Sequence, residues 1–125
     1  MIDPLFQSAN YQIARKLLDA TALRQEAIAS NIANSETAGY RRVDLNRDFA
    51  TQLKAAAGFG QLASVENLRP ALAEDHTART VRPDGNTVEI DRELLAMNRN
   101  AMEHEFLAEV ISRDIKQLRL AISGR

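Results

Sequence analysis

The chain has 125 residues, enough for one domain, and a net charge of −1 with acidic and basic residues interleaved along its length. That balance argues against nucleic acid or an anionic membrane as the main partner. There is no cysteine, which excludes disulfides and thiolate metal sites.

Met1-Ile2-Asp3-Pro4 has neither a basic n-region nor an apolar h-region, so no cleavable secretory signal is expected. No apolar run approaches the ~20 residues of a membrane helix. Asp3-Pro4 predicts a helix start, an acidic N-cap followed by proline at the first helical position. Nothing breaks that helix before about Asn34. Its apolar residues (Phe6, Ile13, Leu17, Leu18, Leu23, Ile28, Ile32) lie among alanines at 9, 14, 20, 22, 27, 29 and 33. A face this rich in small side chains lets another helix approach closely.

Asn31 and Asn34 suit a fraying helix end, and Gly39 can take the positive φ of a tight turn. Leu45, Phe49 and Leu53 fall four apart and predict a short amphipathic helix ending near Gly58 and Gly60. Residues 59–83 hold Pro70 and Pro83, few large apolar groups and no clear period, so an irregular excursion is expected. Pro83-Asp84-Gly85-Asn86 is a turn signal, and Val88-Glu89-Ile90 alternates like a very short strand. Asp91 is a candidate N-cap for a last helix that Ser123-Gly124 closes.

That helix carries a heptad: Leu94, Met97, Ala101, His104, Ala108, Ile111, Ile115, Leu118, Ile122. Steps of three and four return to one helical face and draw the seam of a coiled coil. A second row (Leu95, Met102, Phe106, Val110) is expected to widen the buried face. The fold class is therefore mainly α. Long N- and C-terminal helices pack as an antiparallel coiled coil, with a short helix and an irregular, partly extended segment between them. The expected parts of this one structural domain are a helix over 1–35, a turn, short helix and connection over 36–90, and a helix over 91–125. Two helices alone cannot cover both faces of each, which points to assembly.

Chemistry is sparse. His76, beside Glu74 and Asp75, reads as part of a solvated acidic loop. His104 is either a partly buried residue whose second ring nitrogen meets water or a carboxylate, or a polar register-setter between helices. No other ligand shares its face at metal spacing. Glu103, Glu105 and Glu109 with Arg99, Arg113 and Lys116 form a solvated face with helical ion pairs. Tyr40-Arg41-Arg42 is weak support for nucleic acid in neutral surroundings. No phosphate loop, nucleophile elbow or dinucleotide fingerprint occurs, so no cofactor, small-molecule substrate or enzymatic activity is expected.

The segment Ala29-Ser30-Asn31-Ile32-Ala33-Asn34-Ser35-Glu36-Thr37-Ala38-Gly39-Tyr40-Arg41 resembles the signature of bacterial flagellar rod and hook proteins. Ala38 stands where that family usually has proline. Asp48-Phe49-Ala50, and Asp84-Gly85-Asn86-Thr87-Val88-Glu89-Ile90-Asp91 leading into Asn100-Ala101-Met102-Glu103-His104-Glu105, are similar to the small proximal-rod members. Residues 59–83 match nothing. The resemblance implies a structural subunit exported unfolded through the flagellar type III apparatus, with terminal helices packed into a tube in the basal body. It would join the MS-ring and export gate to the rest of the rod and transmit torque. Its partners would be other rod subunits, the rod–MS-ring adaptor and further copies of itself in a helical assembly.

On that reading the assembly residues are Asn31, Asn34, Thr37, Gly39 and Tyr40 at the corner, with the nine seam residues of the last helix. The seam is expected to pack on the chain's own first helix, leaving Ala-rich and polar surfaces for neighbours. The corner either hands over to the next subunit or caps its own helix only. Alternatives are another rod protein, a cytosolic helical adaptor, or an enzyme subunit with a site in 59–83.

Overall fold

The computed structural model describes residues 9–58, 60 and 62–124. Its elements run α1 (Ala9–Ala33), β1 (Val43–Leu45), α2 (Arg47–Gly58), α3 (Leu62–Asn67), β2 (Leu72–Glu74) and α4 (Ile90–Ser123). Neither α1 nor α4 contains glycine or proline, and each is one uninterrupted helix. The expected start of the first helix at Asp3-Pro4, with Phe6, lies outside the described residues.

The two long helices are antiparallel, as expected. Thr21 meets His104, Asn100 reaches Gln25, and Asn31 reaches Glu93, so positions descend along α4 as they ascend along α1. Arg24 on α1 is ion-paired with Asp44 at 3.5 Å and with Glu103 at 3.9 Å, tying β1 and α4 to it. Another face of α1 holds the middle of the chain. Phe49, Leu53 and Ala56 of α2 and Val65 of α3 close around Ala20, with Ile13, Leu17, Leu45 and Leu68 at the margin. Alanine at position 20 lets the short helices come near. Helix α1 is thus covered on two sides.

Helix α4 starts at Ile90, one residue before the expected cap Asp91. The cap position is Glu89, in extended conformation and with no side-chain cap hydrogen bond. The Arg92 and Glu93 amides both donate to the Glu89 carbonyl at 3.1 Å. Asp91 and Glu93 instead lie in the first turn, where negative charge complements the helix dipole. Gly124 closes the other end in the left-handed conformation, its N–H donating to the Leu120 carbonyl at 2.8 Å.

Two local expectations give way. Val88-Glu89-Ile90 is not a strand. The Val88 amide is taken by the Asn86 side chain at 2.8 Å and the Thr87 amide by the Tyr40 carbonyl at 3.1 Å, so no ladder forms there. The small antiparallel sheet pairs β1 with β2, Val43 opposite Glu74 and Leu45 opposite Leu72. Residues 59–83 therefore contribute both α3 and β2 to the fold rather than an irregular excursion.

The seam is also rotated from its expected position. Glu93, Asn100 and Leu107 are buried and Asp114 is half-buried, each one residue before Leu94, Ala101, Ala108 and Ile115, which are exposed. Of the expected row, Leu118 is buried, Met97 and Ile111 are half-buried, and Ile122 is exposed. His104 lies on the surface but touches α1 through one ring nitrogen. In the second row Leu95, Met102 and Phe106 are exposed and only Val110 is half-buried. Polar partners turn the helix. Arg42 and Asn31 draw Glu93 inward, and Asn100 donates to the Thr21 carbonyl at 2.8 Å and to Gln25 at 3.0 Å. Counting apolar side chains alone misplaces the centre of half the face by one residue, about 100°.

Candidate assembly site

Helix α1 ends in a corner built from the signature segment. Asn31 has no exposed surface, and its amide uses all four hydrogen-bonding positions. It donates to the Val43 carbonyl at 2.8 Å and accepts from the Val43 amide at 3.0 Å, as a neighbouring strand would. Its remaining hydrogen goes to Glu93 at 3.2 Å, and its oxygen also accepts from the Tyr40 hydroxyl at 3.2 Å. The Tyr40 hydroxyl has a single hydrogen, so at 3.0 Å it accepts from Ser30. Asn34 donates to the Ser30 carbonyl at 2.9 Å and accepts from Thr37 at 3.2 Å. Gly39 takes φ of +74°, the conformation its place in the turn required.

The Asp84–Thr87 loop lies against this corner. The Asn86 amide nitrogen faces the carbonyls of Asn34, Ser35 and Thr37 at 3.0, 3.1 and 2.8 Å. These carbonyls belong to the turn that follows α1, and the Asn34 carbonyl also accepts from the Thr37 amide at 3.0 Å. The Arg82 guanidinium adds a hydrogen bond to the Ser35 carbonyl and one to Glu36 at 3.3 Å. The Gly39 amide donates to the Asp84 carbonyl at 2.8 Å, and the Arg42 amide to the Thr87 hydroxyl at 2.8 Å. Gly85, at φ +83°, sits back to back with Gly39: a Cβ at Gly85 would lie 3.4 Å from the Gly39 Cα.

Arg42 binds the corner to α4. Its Nε donates to Glu93, and its Nη1 to Asp75 at 2.8 Å and to Asp44 at 3.1 Å. Glu93 is 0 % exposed, so its charge depends on this partner. Burial by itself would lower the Arg42 pKa, but the hydrogen bond and charge of Glu93, together with Asp44, raise it above its ordinary value. Burial pushes the Asp75 carboxyl up, yet hydrogen bonds from Thr77 and Arg42 outweigh it and hold the carboxyl below its usual range.

The expected corner residues are therefore brought together, and all of them bond within their own chain. Of the seam residues, His104 forms a specific link to α1. The Thr21 hydroxyl gives its hydrogen to the Leu18 carbonyl, so at 2.8 Å it accepts from the His104 Nδ1–H. Apart from buried Leu107 and Leu118 and half-buried Met97, Val110 and Ile111, the large apolar side chains of α4 are exposed. Met102 is 71 % and Phe106 65 % exposed, and Leu94, Leu95, Ile115, Leu120 and Ile122 are exposed as well. His76 is 82 % exposed beside Glu74, in the solvated setting expected for it. Among the described residues no three His, Asp or Glu side chains are grouped to hold a metal.

Arg42, Asn86, Glu93 and Asn100 were not singled out from the sequence. Arg42 stood only in a weak nucleic-acid motif, and Asn86 and Asn100 only within stretches of resemblance. Buried polar residues that recur every seven positions with the apolar ones, as Glu93 and Asn100 do with Leu107, were the missed signal.

Residues 12–41 match the family model of the flagella basal body rod protein. The chain is 32 % identical to the flagellar basal body rod protein FlgB of Escherichia coli K12, with 93 % of each chain covered. It is 30 % identical to FlgB of Salmonella typhimurium LT2 over 99 % of each. It is 26 % identical to FlgB of Borreliella burgdorferi, over 87 % of this chain and 92 % of that one.

Proposed function

Because this chain belongs to the FlgB family of flagellar basal body rod proteins, we propose that it is a non-catalytic building block of the proximal rod. It links the MS-ring and export gate to the rest of the rod and carries torque between them. It reaches that place through the flagellar type III apparatus, and meets the rod–MS-ring adaptor, other rod subunits and further copies of itself. The observation that carries this reading is the outer face of α4. Eight large apolar side chains, Ile90 among them, are exposed on one helix of a small chain, more than scattered surface residues account for. Packing inside an assembly removes that surface from water. The corner shapes the subunit, holding α1 and α4 in fixed relation so that their outer faces are presented together.

Phe106→Asp tests the reading. Phe106 is exposed in the lone chain, so the variant should keep the wild-type melting temperature within about 2 °C, since surface changes cost under about 0.5 kcal/mol. In cells that depend on it, the variant should fail to enter basal bodies and leave them non-motile. Swimming at the wild-type rate would refute the structural role assigned to this face.

A further inference from the structure

We propose that Lys16 on α1 and Arg69, just past the end of α3, form a binding site for a small oxyanion, a phosphate or carboxylate group that clasps the two helices together. Lys16 is 8 % exposed, yet no hydrogen bond or ion pair reaches it among the described residues. A lysine is almost never buried this far without a partner, because an enclosed ammonium loses its hydration. The amine is not sealed off, since the fully enclosed side-chain polar atoms that lack a partner among the described residues belong to Arg24, Arg82 and Asn100. A ligand can therefore reach it.

The fold brings a second cation to the same side of α1. Ile13, Leu17 and Ala20 flank Lys16 on that helix and pack in the core with Val65 and Leu68. Arg69 follows Leu68 directly. Its Nη1 donates to the Glu66 and Leu68 carbonyls at 2.6 and 3.0 Å, which holds the guanidinium on the backbone. Its Nε and Nη2 carry no hydrogen bond among the described residues. Burial, and next the Arg69 charge, push the Lys16 amine below its ordinary value, and Asp19 and Glu66 do not offset them. Neither carboxylate is ion-paired with it. An oxyanion supplies what both cations lack, acceptor oxygens and opposite charge, and the arginine fork matches its geometry. The site lies apart from the corner and from the outer face of α4, so it stands whether or not the chain builds a rod.

Urea unfolding of the full chain in sodium phosphate, against sodium chloride at matched ionic strength, tests the site. A ligand held only by the folded chain raises its midpoint in proportion to occupancy. The wild type should gain a phosphate-dependent shift that saturates, and Lys16→Met and Arg69→Gln should lose it. Titration with inorganic phosphate followed by amide chemical shifts should give binding at least tenfold weaker in both variants. Equal gains in all three chains reflect a general salt effect and overturn the site, as does a wild-type response without saturation. In chloride, Lys16→Met should melt no lower than wild type, since it removes a buried charge that nothing pairs. A lower midpoint there shows that the amine already has a partner within the chain, and overturns the proposal too. Parallel titration with acetate tells a carboxylate site from a phosphate site by which anion saturates at the lower concentration.

Discussion

Arg42 and Glu93 make the sharpest claims about single residues. Removing the guanidinium leaves a fully buried carboxylate without its cation, which typically costs about 3–5 kcal/mol. Arg42→Ala should therefore lower the urea unfolding free energy by that order, whereas Arg41→Ala, at an exposed neighbour, should change it little. Asp75 adds a pH dependence of known sign. Its folded pKa is depressed, so its contribution is complete above about pH 4, near the unfolded value, and is lost as pH falls through the folded one. Stability measured from pH 5 to pH 2 should fall less steeply in Asp75→Asn than in the wild type. Gly39→Val places a β-branched residue at φ +74°, at a cost of about 1–3 kcal/mol read in the same denaturation experiment. Asn31, Asn34, Gly39 and Tyr40 were legible as a turn because their residue types and close spacing mark a helix end and a positive-φ turn. The Arg42–Glu93 and Asn86–Asn34 bonds span 51 and 52 positions, and no local spacing announces them.

At the scale of elements, the two long helices and the short one were legible from unbroken runs and apolar intervals. The rotation of α4 was not, because three of its inward positions are Glu93, Asn100 and Asp114, residue types that normally mark the solvent side. The middle segment was missed because α3 has six residues and β1 and β2 three each, too short for a period to show. Asn100 carries a measurable consequence. Its side-chain oxygen is buried and finds no partner among the described residues. An unsatisfied buried carbonyl costs about 1–3 kcal/mol. Asn100→Leu should therefore melt no lower than wild type, and higher if the new side chain packs. Polar groups in a helix seam commonly fix register at the expense of stability. The same variant should accordingly tolerate a one-heptad slip of α4 against α1, visible as altered exchange of the Thr21 and Gln25 amides.

For the whole molecule, the contrast lies between a densely bonded corner and an α4 whose outer side is bare. Hydrogen exchange in the dilute isolated chain should be slowest around Asn31, Val43 and Glu93 and fastest from Ile115 onward, where exposed Ile115, Leu120 and Ile122 cluster. On assembly, protection should rise along the full length of α4. A dilute chain already protected uniformly from Ile90 to Ser123 would contradict that. The Asn86 clasp also imposes an order in time. A polypeptide made from its N-terminus presents the turn after α1 without its Asn86 partner until residue 86 has emerged, and closure then needs a loop of some fifty residues to return. Newly made chains thus pass through an interval in which the first helix is unlatched, and any carrier that captures extended polypeptide meets them before they shut.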